Sequence, residues 1–131
     1  MKIDRNLLDR LSDEARKSPR LRYSFDLRTD DNDRSQRMLN ALEPGTVVPI
    51  HRHKLSAETL IVIRGSLREM IYDQEGRLTD SFVMNAGGAF PLFQVEKGQW
   101  HSVECLESGT IIFEAKDGAY IPLSKDDILE I

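Results

Sequence analysis

The stretch Gly45-Thr-Val-Val-Pro-Ile-His51-Arg-His53-Lys-Leu-Ser-Ala-Glu58-Thr-Leu-Ile-Val-Ile-Arg64-Gly65 decides how this chain is read. On a strand, residues i and i+2 project from one face, so His51 and His53 can meet one ion together. Glu58 lies far enough on for a turn and the start of a second strand. That strand, Glu58 to Arg64, puts Glu58, Leu60, Val62 and Arg64 on one face and Thr59, Ile61 and Ile63 on the other. A carboxylate on an otherwise apolar inner face is costly unless it is paired or bound to a metal.

On the C-terminal side the pattern repeats as rhythm, not as sequence. Glycines fall at 65, 76, 87, 98 and 109, eleven residues apart, and again at 118. Between them lie runs rich in branched and aromatic residues, such as Met70-Ile71-Tyr72 and Thr110-Ile111-Ile112-Phe113. Short strands punctuated at such intervals predict an all-β sandwich or barrel. Glu75-Gly76 and Asp117-Gly118 read as hairpin tips. On the N-terminal side, Ile3, Leu7, Leu8, Leu11 and Ala15 recur at helical spacing. Asp4 is placed to cap that helix and Ser18-Pro19 to stop it. Thr29-Asp30-Asp31-Asn32-Asp33 reads as a solvated acidic loop. It lacks the glycine and the closing glutamate of an EF-hand calcium loop.

The whole chain, 131 residues, suits one domain. The expected layout is a helix over 1–18 packed on a barrel over 21–123. Eighteen Lys and Arg against 22 Asp and Glu give a net charge of −4. The cations are scattered, which argues against nucleic acid as a partner. No apolar run reaches the ~20 residues of a membrane helix. The charged start, Met1-Lys2-Ile3-Asp4-Arg5, is unlike a signal peptide. With Cys105 as the one cysteine, the expected setting is cytoplasmic. Cys105 itself is expected to be a buried, inert thiol.

The spacing Gly-x5-His-x-His-x4-Glu-x6-Gly, from Gly45 to Gly65, resembles the first motif of the cupin superfamily at every position. Gly98-Gln99-Trp100-His101 resembles the second. The resemblance implies a small cupin-type barrel, a double-stranded β-helix or jelly roll with a short N-terminal helix. It also implies a metal held by His51, His53, Glu58 and His101. All three histidines of the chain then fall on ligand positions. Two departures stand out: Val95-Glu96-Lys97 replaces the usual proline before Gly98, and Cys105 stands where an asparagine is common. Ser18-Pro19-Arg20, Arg37 to Gly45, Arg64-Gly65, Phe113 to Tyr120 and Lys125-Asp126 narrow the resemblance to the WbuC-type cupin-fold metalloproteins. That family is associated with bacterial surface-polysaccharide (O-antigen) gene clusters, and it carries no assigned reaction.

Three imidazoles and a carboxylate suit one divalent transition metal, Fe, Mn, Ni, Co or Zn, and leave positions open for a ligand. The residual positive charge favours a small sugar-like or hydroxy-acid-like molecule. Arg64, Asn40, Lys116 and Tyr120 are the candidate contacts to it. Arg52 alternates away from the histidines and is expected outside, with Trp100 packed. Three roles stay open: a Lewis-acid enzyme on an oxygenated, carbohydrate-related molecule, an Fe(II) oxygenase, or a non-catalytic binding module. A homodimer through an outer sheet face is expected.

Overall fold

The computed structural model describes residues 1–130. It opens with helix α1 (Arg5–Lys17), capped as its sequence predicts: the Asp4 side chain accepts from the Leu7 N–H, and Ser18 ends the helix. Ten strands follow: β1 (Arg22–Asp26), β2 (Ser35–Leu42), β3 (Ile50–His51), β4 (Glu58–Arg64), β5 (Ser66–Tyr72), β6 (Leu78–Asn85), β7 (Leu92–Val95), β8 (Trp100–Cys105), β9 (Thr110–Asp117) and β10 (Ile128–Leu129). They form two five-stranded sheets, ordered β1-β2-β9-β4-β7 and β10-β3-β8-β5-β6. Every pairing is antiparallel.

The glycine rhythm maps onto this architecture. Gly65, Gly76, Gly87, Gly98, Gly109 and Gly118 all adopt positive φ, and all lie between or just beyond strands. At Gly65 the need is steric as well as conformational. A Cβ there would stand 2.7 Å from the Thr110 Cα, so β4 can turn into β5 beside β9 only without a side chain.

Two apolar clusters divide the interior. Leu42, Leu60, Val62, Leu67, Met84, Cys105 and Ile112 pack between the sheets. Leu7, Leu11 and Ala15 of α1 pack with Leu39, Ala41 and Ile111 on the other side of the first sheet. Strands β2 and β9 are therefore covered on both faces. This explains why Thr110-Ile111-Ile112-Phe113 is an unbroken apolar run, not an alternating one. Each leucine buried under α1 contributes roughly 1.5–3 kcal/mol, which holds the helix to the sheet.

Asp117-Gly118 is not a hairpin tip. The Gly118 N–H donates to the Arg34 carbonyl at 2.7 Å, and the chain then runs irregularly to a 3-10 turn at Lys125–Asp127. There it joins the second sheet as β10, and the Arg52 N–H donates to the Asp127 carbonyl at 3.0 Å. Residues 119–124 thus form a strap between the two sheets. The acidic loop is a turn organised by Asp33, whose carboxylate accepts from the Thr29 and Ser35 N–H groups and from Arg37.

Candidate metal centre

The inner face of the first sheet and the edge of the second enclose a cavity of ≈ 790 Å³. The three histidines meet in it. His51 ends β3, and His101 is its cross-strand partner on β8. Strand β3 is only two residues long, so His53 lies beyond its end and not on the same strand as expected. Its position is fixed instead by its carbonyl, which accepts from the Gly98 N–H at 2.8 Å and so ties the first motif to the second. The ring centroids lie 4.5 Å apart for His51 and His101, 5.2 Å for His51 and His53, and 6.4 Å for His53 and His101. One nitrogen from each ring lies within 4.8 Å of the others. Glu58, on β4, reaches the same place, with Oε2 3.3 Å from His53 Nε2.

In two of the three rings the outer nitrogen is engaged. His51 Nδ1 lies 2.8 Å from the Pro49 carbonyl, which makes it the donor and leaves Nε2 as a lone pair. His101 Nδ1 lies 2.6 Å from Glu69 Oε1, while its buried Nε2 has no partner among the described residues. A buried imidazole nitrogen without a partner among the described residues, beside two other rings and a carboxylate, makes a donor set that would suit a first-row divalent ion. Burial, with the neighbouring rings, depresses the His51 pKa to about 4, and burial takes His101 to about 4 as well. Both are therefore neutral at pH 7, as ligands must be. Burial alone would raise the Glu58 pKa. The His53 hydrogen bond and the Lys116 charge outweigh it and hold Glu58 down at about 2.

The expected ligand-contact residues separate into two groups. Asn40 and Lys116 line the cavity. The Asn40 side chain donates to Glu114 Oε1 at 2.9 Å, and Lys116 Nζ lies 3.4 Å from Glu58 Oε2 and 3.8 Å from Glu114 Oε2. Tyr120 lies on the strap at the mouth, 58% exposed, with the Arg28 guanidinium 5.8 Å from its ring centre. Arg64 is elsewhere. The β4–β9 register shifts between Val62 and Arg64, which breaks the alternation that was to aim it inward. Its guanidinium donates to the Gly109 carbonyl at 2.8 Å, to Asp9 at 2.6 Å and to Ser12 at 2.9 Å, so it fastens α1 to the barrel. Arg52 lies at the cavity edge, 4.5 Å from the ring centre of the buried Trp100. Cys105 is at the far end of β8, in the core. Its thiol donates to the Glu107 carbonyl at 3.2 Å, and burial raises its pKa.

Two acidic residues escaped the sequence reading. Glu114 faces the cavity from β9, and burial, with the Glu58 charge, raises its pKa to about 7. Glu69 on β5 is fully buried, and the same two causes raise its pKa to about 9. The signal for Glu114 was its phase, two residues after the inward Ile112 on one strand. For Glu69 it was weaker, because Leu67-Arg68-Glu69-Met70-Ile71-Tyr72 carries apolar residues in both phases.

Comparison with solved structures finds the same barrel in oxalate decarboxylase from Bacillus subtilis. One variant of that enzyme superposes with a TM-score of 0.58 at 26% identity over 75% of this chain and 26% of its own. A second gives 0.61 at 25% identity over 82% and 28%. A structure on the substrate binding mode of oxalate decarboxylase gives 0.60 at 26% identity over 75% and 26%. This chain therefore spans little more than a quarter of those proteins, and its fold is that of a small cupin barrel. A search of curated proteins finds no match. The family described as Domain of unknown function (DUF6016) matches residues 3–84, from α1 into β6 and including His51, His53 and Glu58. That match covers more than half of the sequence, and the chain belongs to the DUF6016 family.

Proposed function

We propose that this protein holds one divalent transition-metal ion through His51, His53, His101 and Glu58, and uses it to bind and act on a small oxygen-rich molecule. The carrying observation is the convergence of three imidazoles on one cavity floor, with the buried Nε2 of His101 unpartnered. A bound ion supplies a Lewis acid that polarises an oxygen of the ligand. The chain's own residues supply the rest. Arg20, Arg22, Arg34, Arg52, Lys54 and Lys116 line the cavity, against the acidic Glu58, Glu114, Asp117 and Asp127. Asp127 pairs with Arg52 and Lys54, and Lys116 pairs with Glu58 and Glu114. Arg20, Arg22 and Arg34 have no ion pair among the described residues, so the lining favours a ligand with anionic or strongly electronegative groups.

Glu114 is the proton-handling group in this reading, with the Lys116 ammonium beside it. A carboxyl with a pKa about 7 holds or releases a proton near neutral pH, which general acid–base chemistry requires. Asn40 fixes Glu114 Oε1, and the Ser24 hydroxyl in turn donates to Asn40. The resulting polar track runs from β1 through β2 and β9 to the ligand residue Glu58 on β4. Tyr120 stands at the mouth as a contact to the incoming molecule.

In this reading the ligand is a carbohydrate-related molecule and the setting is surface-polysaccharide synthesis, as the WbuC-type resemblance implies. The layout in this reading is a single domain over 1–131 that pairs as a homodimer through an outer sheet face.

The test is elemental analysis of the purified protein beside a His51→Ala/His53→Ala double variant. The expected result is one ion per chain in the first and none in the second, with the β-sheet circular dichroism retained. Stoichiometric metal in the double variant overturns the ligand assignment. Turnover across a panel of sugar phosphates and hydroxy acids then supports an enzyme, substrate-stimulated oxygen uptake moves the reading to an oxygenase, and tight binding without turnover makes it a binding module.

A further inference from the structure

Glu69 is the most anomalous side chain of the core. It is a carboxyl group with no exposed surface, on β5 between the cross-strand neighbours Phe82 on β6 and Val103 on β8. Oε1 lies 2.6 Å from His101 Nδ1, while Oε2 is buried with no hydrogen-bond partner among the described residues. A half-satisfied carboxyl in such a place destabilises a fold, and an apolar residue of similar size would serve packing better. What the carboxyl does supply is an acceptor fixed beside one nitrogen of one histidine. His101 is itself almost fully buried, and its other nitrogen points into the cavity unpartnered.

We infer that Glu69 is a positioning residue for His101: its Oε1 accepts a hydrogen bond from the Nδ1–H, locks the ring plane, and leaves Nε2 as a lone pair aimed into the cavity. The inference rests on the metal-site reading above and deepens it. Histidine ligands commonly donate their outer N–H to such an acceptor, which fixes the tautomer and strengthens the ligand. His51 has the same arrangement by a cheaper route, with the Pro49 carbonyl as acceptor. At His101 a side chain from the neighbouring strand β5 takes that role.

The experiment compares wild type, Glu69→Gln and Glu69→Leu, using Co(II) alone as the probe. With three histidines in the chain, nitrogen-15 NMR of the metal-free protein reads each ring's tautomer directly. The Nδ1–H form of His101 is expected in wild type and in Glu69→Gln, whose amide oxygen still accepts, and its loss is expected in Glu69→Leu. Co(II) affinity should fall about 10–100-fold in Glu69→Leu, with an altered d–d spectrum, and much less in Glu69→Gln. The metal-free Glu69→Leu protein, left with His101 Nδ1 buried without its acceptor, should melt below wild type, so the tautomer and the Co(II) spectrum, and not the melting temperature, separate positioning from structural support. Should that variant not fold, the wild-type tautomer and the Glu69→Gln affinity carry the test. An Nε2–H tautomer in wild type, or unchanged Co(II) affinity and spectrum in Glu69→Leu, overturns the inference. Absence of Co(II) binding by wild type overturns the metal-site reading instead, and the tautomer still reports on Glu69.

Discussion

Replacing Gly65 by alanine tests whether the end of the first motif is fixed by sterics. Gly65 has φ +87, and a Cβ there would meet Thr110 Oγ1 at 2.3 Å, its Cα at 2.7 Å and its Cβ at 2.9 Å. The Thr110 side chain cannot retreat freely, since its Oγ1 donates to the Glu107 carbonyl at 2.7 Å and accepts from the Ser66 N–H at 3.2 Å. The left-handed backbone costs a non-glycine residue about 1–2 kcal/mol. Forcing a methyl group against packed backbone adds about 1–3 kcal/mol. The sum, about 2–5 kcal/mol, is a large part of the ~7–20 kcal/mol that holds a domain of this size. Gly98→Ala is the matched control: φ is +79, but nothing stands within 4 Å of the added atom. Only the backbone cost of about 1–2 kcal/mol applies there. Equilibrium urea unfolding in the presence of a chelator should place Gly65→Ala at least ~1 kcal/mol below Gly98→Ala, with similar slopes. Equal losses in the two variants would refute the argument that contact with Thr110, and not φ alone, requires this glycine.

Two further outcomes separate anchoring from site chemistry. Arg64→Met should destabilise the fold by about 1–3 kcal/mol, because it strips three hydrogen bonds to Gly109, Asp9 and the buried Ser12, and it should leave Co(II) affinity unchanged. A stable Arg64→Met protein with weakened ligand binding would return Arg64 to the cavity. The second outcome concerns acid. His51 has a folded pKa of about 4 against an ordinary 6.5, so the unfolded chain takes its proton first as the pH falls. Its contribution is therefore intact above pH 6.5 and is lost progressively toward pH 4. The partly exposed ring makes about 3 kcal/mol a ceiling for that loss. In chelator, the stability of His51→Ala relative to wild type should rise as the pH is lowered from 7 to 4, read by unfolding at each pH, and a constant difference would contradict the depressed pKa.

Much of the fold was legible because its signals are local. The Asp4 cap, the helical stripe of α1 and the glycines at strand ends each reflect a backbone or packing requirement that a few neighbouring residues satisfy. The meeting of His51, His53 and His101 was legible through motif spacing, although the route differs: cross-strand pairing with His101 and a carbonyl tie to Gly98 place the rings, not an extended strand through His53. Residues whose roles depend on long-range register were less legible. The shift between Val62 and Arg64 turns one side chain from the cavity to the helix, and nothing local marks it. Glu69 depends on which phase of β5 faces inward, and a strand with apolar residues in both phases does not declare that. Gly118 resembles a hairpin tip by composition, yet its N–H is taken by Arg34, far back in the chain.

The strap over residues 119–124 has a consequence for how molecules reach the histidines. It is held at both ends, by Gly118 against Arg34 just before β2 and by Asp127 against Arg52 and Lys54 beside the second sheet. A flap hinged at one end can swing clear, but a tether fixed at two points leaves only the gap beside it. Tyr120 and Ile121, both well exposed, border that gap. On this geometry the length of the strap would set the width of that opening. Lengthening or shortening it by a residue or two should change which molecules are admitted while leaving the chemistry of the floor untouched.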